Sequence, residues 1–238
     1  MRIPRIFSPT LLREGMELSL PKEARQHVER VLRLKPGATL VLFDGNGGQY
    51  RAELLTEGRV HVLAFSAVDI ESPLPVRLIQ GLSKGERMEI TLQKAVELGA
   101  HRISPVAATR SVVKLDEERA DRRMARWNGI LQSACEQCGR NTPPLLDELK
   151  KLDSVLAEAP GGETRIVLAP EGSVRLAELE RPASLSVLIG PEGGLTDEEV
   201  ETARQRGFTA IRLGPRILRT ETAGLALLAT VQTLWGDF

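Results

Sequence analysis

Three consecutive strand-like segments in the C-terminal half end in the same kind of turn. They read Leu168-Ala169-Pro170-Glu171-Gly172, Ile189-Gly190-Pro191-Glu192-Gly193-Gly194 and Leu213-Gly214-Pro215-Arg216. Proline removes a backbone donor and stiffens the exit, while glycine lets a ligand come close to the backbone. In an open α/β sheet, ligands bind outside the carboxyl ends of the strands. Three such exits side by side predict a rigid, concave pocket lined by main chain, which suits an adenosine-like ligand. The spacing is neither the dinucleotide pattern G-x-G-x-x-G nor a Walker A loop with its lysine.

The surrounding pattern places these exits in a second domain. Ser72-Pro73-Leu74-Pro75 favours extended backbone and interrupts regular pairing, so it marks a boundary between residues 1–72 and 73–238. Before it, Thr39–Phe43, Gln49–Leu54 and Val60–Phe65 read as strands, with hairpin chemistry at Asp44-Gly45-Asn46-Gly47-Gly48 and a short helix from about Pro21 to Val31. This predicts a small β-barrel-like module. After the boundary, strands at Val76–Gly81, Ile103–Ala107, Arg165–Ala169, Ser184–Ile189 and Ala210–Leu213 alternate with helices. The helices are expected at Glu86–Leu98, Asp116 to about Cys138, Leu145–Leu156, a segment capped by Thr196 with Glu199, and about Glu221–Leu234. Such alternation implies a parallel sheet with helices on both faces, an α/β domain.

Composition narrows the partners. The chain has 238 residues, 32 Lys+Arg against 32 Asp+Glu, 42% hydrophobic and 3% aromatic residues. Zero net charge excludes a wholly basic coat protein for nucleic acid. Basic residues are nevertheless clustered: Met1–Lys35 carries eight Lys/Arg and four acids, and Arg204–Arg219 carries five Arg and no acid. Few aromatic residues mean that any nucleic acid is held through phosphate contacts more than by stacking. Met1–Phe7 lacks the apolar core of a secretory signal, no apolar run approaches the ~20 residues of a membrane span, and two cysteines suit a reducing compartment. The expectation is a cytoplasmic protein with no membrane partner.

The two C-terminal motifs carry a family resemblance. Ile189-Gly190-Pro191-Glu192-Gly193-Gly194-Leu195 and Leu213-Gly214-Pro215-Arg216-Ile217-Leu218-Arg219-Thr220-Glu221-Thr222-Ala223 resemble the signature of RsmE-type methyltransferases of the SPOUT superfamily. Weaker matches lie at Arg2–Phe7, His27 with Val31-Leu32-Arg33, Gln93–Gly99, Arg110-Ser111 and Glu136–Arg140. Glu86, where the family more often has Asp, and Asn141-Thr142-Pro143 depart from its pattern. The resemblance implies a PUA-like RNA-binding β-barrel followed by a SPOUT-type parallel-sheet domain with a deep trefoil knot. It also implies S-adenosylmethionine as methyl donor, N3 of a uridine in 16S ribosomal RNA as acceptor, free or within the small subunit, and a homodimer whose interface lies near the cofactor. The cofactor-binding positions it implies are Leu168, Pro170, Ile189, Gly190, Glu192, Gly193, Gly194, Leu213, Gly214, Ile217, Leu218, Thr222 and Ala223.

Uracil N3 keeps its proton at neutral pH, so that reaction needs a cation near a ring carbonyl and a group to take the proton. Arg219 and Glu221 follow the pocket-forming Ile217-Leu218 and are the candidates. Glu221 reads equally as a cap at the positive end of the last helix. Arg2, Arg5, His27, Arg33 and Arg110 are the candidate RNA contacts. Cys135-Glu136-Gln137-Cys138 lies near a helix end without a second pair, and the three histidines lack metal-ligand spacing, so no metal is expected. The competing readings are a knotted methyltransferase acting on ribose 2′-oxygen, an inactive RNA binder, and a nucleotide-binding metabolic enzyme, the last disfavoured by the missing phosphate loops.

Overall fold

The computed structural model describes residues 3–111, 117–158 and 161–238. The chain forms two compact units, Met1–Glu71 with Gln132–Pro143, and Ser72–Leu131 with Pro144–Phe238. Gln132–Pro143 thus joins the first unit across a long stretch of sequence, a membership no local pattern announces.

The first unit is a curled five-stranded sheet of β1 (Arg5–Phe7), β2 (Glu17–Ser19), β3 (Thr39–Phe43), β4 (Gln49–Leu54) and β5 (Arg59–Ser66), in the order β1-β3-β4-β5-β2. Only β1 and β3 run parallel. Alternation sends Leu40 and Leu42 of β3, and Val60 and Val62 of β5, into a core shared with Ile6, Leu12, Leu20 and Val28. At the β3–β4 turn the Asp44 carboxylate accepts from the Asn46 and Leu12 amides, at 3.1 and 2.9 Å. Gly48 there has φ +64°, and a Cβ would run into the Phe65 ring, so only glycine fits. The expected helix near Pro21–Val31 is α1 (Lys22–Gln26) continued by a π-turn, His27–Val31, with the Leu32 amide donating to the His27 carbonyl. The turn carries Val28, fully buried, into the core.

The C-terminal arm of this unit is fastened by buried polar groups. Glu71 accepts from Arg140 Nε (2.5 Å) and from the amides of Asn141 (3.0 Å) and Thr142 (3.1 Å). Arg5 donates to the Arg140 carbonyl (3.1 Å), to Asn141 Oδ1 (2.7 Å) and to Gln49. The Phe7 amide donates to Glu136 Oε1 at 2.9 Å. The Arg140 side chain is 4% exposed, and Glu71 compensates its charge.

The second unit is a parallel sheet of β6 (Val76–Gly81), β7 (Arg102–Ala107), β8 (Leu145–Leu146), β9 (Lys150–Lys151), β10 (Thr164–Leu168), β11 (Leu185–Ile189) and β12 (Phe208–Ile211). The order is β12-β10-β11-β6-β7-β8, with β9 also paired to β7. Helices α2 (Glu86–Glu97), α3 (Glu117–Cys138), α4 (Leu152–Leu156), α5 (Asp197–Gln205) and α6 (Thr220–Trp235) accompany it. The expected start of α3, Asp116, lies outside the described residues. Ile79 of β6 and Leu188 of β11 face one side, packing with Leu152, Val155, Val200 and Ala203 of α4 and α5. Leu78 and Ile189 face the other, against α6 at Gly224, and α6 in turn packs on α2. Helices therefore cover both faces. Among the described residues no helix is long and apolar enough to cross a membrane.

Two expectations need correction. Leu145–Leu156 was expected as one helix, but its first half is the edge strands β8 and β9 on β7. The apolar spacing suits a helix, yet tertiary pairing overrides it. The Leu145 and Asp147 amides donate to the His101 and Ile103 carbonyls, and Asp147 is held by Arg102 Nε (2.9 Å), Arg77 (3.4 Å) and the Ser104 hydroxyl. The last strand, expected at Ala210–Leu213, runs Phe208–Ile211, which leaves Leu213 free for the loop beyond it.

The polar fastening gives two expected outcomes. Glu71→Ala removes the carboxylate that faces the buried Arg140 side chain and should lower unfolding free energy by about 3–5 kcal/mol in urea titration. Burial pushes the Glu136 carboxyl above its ordinary range, against the opposing Phe7 amide and the charges of His27 and Arg5. A raised folded value means that its contribution to stability is whole at low pH and falls as pH rises through that value. Glu136→Gln keeps an acceptor for Phe7 and removes the buried charge. Its melting temperature should match or exceed that of the parent at pH 7.5, with the gap closing toward pH 4.

Candidate functional site

Because β12, β10 and β11 are parallel neighbours, their carboxyl ends emerge at one edge of the sheet. The three exits read from the sequence therefore meet. They enclose a cavity of about 420 Å³ with Arg110, from the exit of β7, on its wall. Twelve of the thirteen expected cofactor positions line it: Leu168, Pro170, Ile189, Gly190, Glu192, Gly193, Gly194, Leu213, Gly214, Ile217, Leu218 and Ala223. Thr222 does not; it is exposed on the first turn of α6. Pro191, Asp197, Arg212, Arg216 and Thr220 also line the cavity and were not singled out.

The walls are held at backbone contact. A Cβ on Gly81, at the end of β6, would collide with the Pro191 nitrogen, and one on Gly172 would collide with the Ile211 carbonyl carbon. A Cβ on Gly190 would meet the Leu195 nitrogen at 2.9 Å. Thr220 Oγ1 donates to the Gly190 carbonyl (2.5 Å) and accepts from Gln80 Nε2 (2.9 Å), tying the start of α6 to the exits of β11 and β6. Gly172 belongs to the first of the three exits read from the sequence, whereas Gly81 gives no such signal, because the approach that forbids a side chain there is made by the distant Pro191.

Glu199 does two things. One oxygen accepts from the Thr196 amide (2.8 Å) in the expected capping box, and the other accepts from the Thr109 amide (2.8 Å). This anchors the loop that carries Arg110, whose guanidinium donates to the carbonyls of Gly193 (3.3 Å) and Leu195 (3.1 Å). Arg110, a candidate RNA contact, is exposed and braces the glycine loop from the cavity side. Arg5, another candidate RNA contact, has its guanidinium engaged inside the first unit and stacked over Phe43 at 5.0 Å. His27 and Arg33 are exposed on the π-turn and just beyond it, Arg33 with φ 52°. Arg2 lies outside the described residues.

The proposed catalytic pair sits beside the cavity rather than in its lining. Arg219 is exposed at the N-cap position of α6. Glu221 Oε1 lies 3.9 Å from Arg87 Nε, and its Oε2 is buried without a hydrogen-bond partner. Arg87 also reaches Glu192, at 3.5 Å to Oε1, an oxygen that accepts from the Lys84 amide at 2.8 Å. Glu192 Oε2 is likewise buried and unpartnered. Arg87 and Lys84 were missed; the Lys84-Gly85-Glu86-Arg87 stretch was noted in the sequence but gave no signal that it would meet the glycine loop. Burial pushes the Cys135 thiol up to about 12, which leaves it an inert core group, and no cluster of metal ligands occurs among the described residues.

Comparison with known proteins agrees with this geometry. The pattern of the RNA methyltransferase domain matches residues 70–232, and that of the RNA methyltransferase PUA domain matches residues 20–64. Ribosomal RNA small subunit methyltransferase E of Buchnera aphidicola subsp. Schizaphis graminum is 34% identical over 99% of this chain and 98% of its own length. The Bacillus subtilis protein of the same name is 33% identical over 92% and 91%. The Neisseria gonorrhoeae ribosomal RNA small subunit methyltransferase E, solved bound to S-adenosyl methionine, superposes with a TM-score of 0.92 at 41% identity over the whole of both chains. A Legionella pneumophila structure with bound cofactor SAM gives 0.95 at 38%, again over both whole chains. With a PUA-like sheet, a parallel α/β unit and relatives matched from end to end, this chain belongs to the RNA methyltransferase family of the ribosomal RNA small subunit methyltransferase E type.

Proposed function

We propose that the protein methylates N3 of a uridine in 16S ribosomal RNA, with S-adenosylmethionine as donor. The observation that carries this reading is the cavity of about 420 Å³ built by three adjacent strand exits in a chain of this family. Its size falls in the range of cofactor pockets, about 300–1,000 Å³. The lining fits the donor: Leu168, Leu213 and Leu218 offer apolar surface to a purine ring, and the Gly190–Gly194 main chain offers polar groups free of side chains. Glu171, Glu192 and Asp197 on one hand and Arg110, Arg212 and Arg216 on the other put both signs of charge in the lining, which suits a donor that carries a sulfonium, an ammonium and a carboxylate. When bound, the donor supplies a methyl group made electrophilic by positive sulfur.

The chain must supply the rest. Arg219, exposed beside the cavity, is proposed to face a ring carbonyl and stabilise the anion that forms as N3 loses its proton. Glu221, with one oxygen unpartnered, is proposed to take that proton. Positioning the two reactants alone can contribute about 7–11 kcal/mol. Affinity for RNA is assigned to Arg2, Arg5, His27 and Arg33 of the first unit and to Arg110 of the second. The reading also includes trefoil threading and a homodimer. Ile217, 90% exposed on the cavity rim, supports the latter, since a second copy would cover it.

Two measurements test the reading. Purified small subunits lacking the modification, incubated with protein and donor, digested and analysed by mass spectrometry, should yield 3-methyluridine. Recovery of a 2′-O-methyl nucleoside instead would overturn it. Gly193→Val should weaken donor binding by calorimetry by about tenfold or more, about 1.4 kcal/mol. Its Cβ alone would press on Arg110 Cβ at 2.9 Å, while the change in melting temperature should stay within about 4 °C. Unchanged affinity would remove the glycine loop from the donor site.

A further inference from the structure

The glycine wall of the donor cavity needs something to hold it still. Gly190, at the exit of β11, has no room for a side chain, since a Cβ would meet the Leu195 nitrogen at 2.9 Å. The same lack of a side chain gives it more backbone freedom than any other residue. Pro191 stiffens the chain beyond it but brings no N–H, so the carbonyl is the one polar group of the Gly190–Pro191 peptide. That carbonyl accepts from Thr220 Oγ1 at 2.5 Å, and both residues line the cavity.

Gln80 of β6 sets the direction of this hydroxyl. Its side chain is fully buried, and its Nε2 donates to the Gly81 carbonyl (3.1 Å) and to Thr220 Oγ1 (2.9 Å). A carbonyl oxygen faces that end of the amide, so the nitrogen must stand there, and both its hydrogens are spent. Thr220 Oγ1 receives one of them and gives its own single hydrogen to Gly190. The other end of the amide carries the cost. Oε1 is buried without a hydrogen-bond partner among the described residues and faces α6, where a Cβ on Gly224 would stand 3.3 Å from it. An unpartnered buried acceptor lowers stability, and an apolar side chain of similar length would avoid that loss. Stability alone therefore does not call for glutamine here, whereas directing the hydroxyl does.

We propose that Gln80, which does not line the cavity, is a positioning residue of the donor site, acting through Thr220 on the Gly190 carbonyl. Deprived of the hydroxyl, that carbonyl must find another donor, and the peptide turns on its glycine hinge and reshapes the wall. The proposal rests on the reading that this cavity takes S-adenosylmethionine, and it adds a residue of the neighbouring strand to the groups that shape the site.

Calorimetric titration of the full-length protein with S-adenosylmethionine is the test. Thr220→Val, which keeps the shape and removes the hydroxyl, should weaken binding at least about fivefold, and Thr220→Ser should keep it within about twofold of the parent. Gln80→Met should weaken binding about threefold or more, yet cause no further loss in the Thr220→Val background. Melting temperatures of the ligand-free variants should stay within about 4 °C of the parent, because Gln80→Met also removes the orphaned oxygen. Parent-like affinity in Thr220→Val, no recovery in Thr220→Ser, or the same loss from Gln80→Met in both backgrounds would each overturn the proposal. A melting temperature that falls further, in step with affinity, would overturn it too, since the network would then only hold the fold. If the parent binds the donor and the variants match it, the relay alone falls. If the parent binds none, the donor reading falls and takes the relay with it.

Discussion

The site depends on backbone meeting backbone at the carboxyl edge of the parallel sheet. Gly81 admits Pro191, Gly172 admits Ile211, and Gly190 admits Leu195, each at a distance where a methyl group would collide. These contacts bring the exits of β6, β10, β11 and β12 together without side chains between them. The polar ties then become short enough to form: Thr220 to Gly190, Gln80 to Thr220, Arg110 to Gly193 and Leu195. Packing density of this kind is also why the loops hold their shape, since a close-packed region has few alternative arrangements.

Much of this was legible because it is written in local chemistry. The proline–glycine turns after β10, β11 and β12 mark strand exits whatever their surroundings, and parallel neighbours must place such exits on one side. The capping box of Thr196 and Glu199 announces the start of α5 in the same way. What stayed hidden depends on partners far along the chain. Gly81 looks like any strand-terminal glycine until Pro191 is set against it. Leu145–Leu156 has a helical apolar spacing, and only the open edge of β7 and the arginines around Asp147 draw its first half into strands.

Charge proved the least transparent property. Arg5 and Arg110 stand among the RNA-contact candidates because they lie in segments that resemble the family pattern. In the fold each serves main-chain carbonyls, Arg5 at Arg140 and Arg110 on the glycine loop. The Glu136–Arg140 motif behaves similarly: Glu136 holds the Phe7 amide and Arg140 is neutralised by Glu71. Residues that carry a family likeness can do so because they assemble a domain, without touching a substrate. Conversely, Arg87 sits in a stretch that departs from the family pattern, yet it joins two carboxylates at the edge of the cavity.

The discontinuous first unit has a consequence for synthesis. Domains generally fold as units as the chain leaves the ribosome. Here the sheet of Met1–Glu71 emerges first, but Glu71 and the Phe7 amide meet Arg140 and Glu136, and Arg5 meets Arg140 and Asn141, only after residues 136–142 have followed. Until then the nascent sheet carries unsatisfied polar groups where the finished unit has buried ones. Completion of this module therefore waits on the translation of β6, α2, β7 and α3. A polypeptide ending at Ser72, where the prolines suggest a boundary, would remain in that unfinished state.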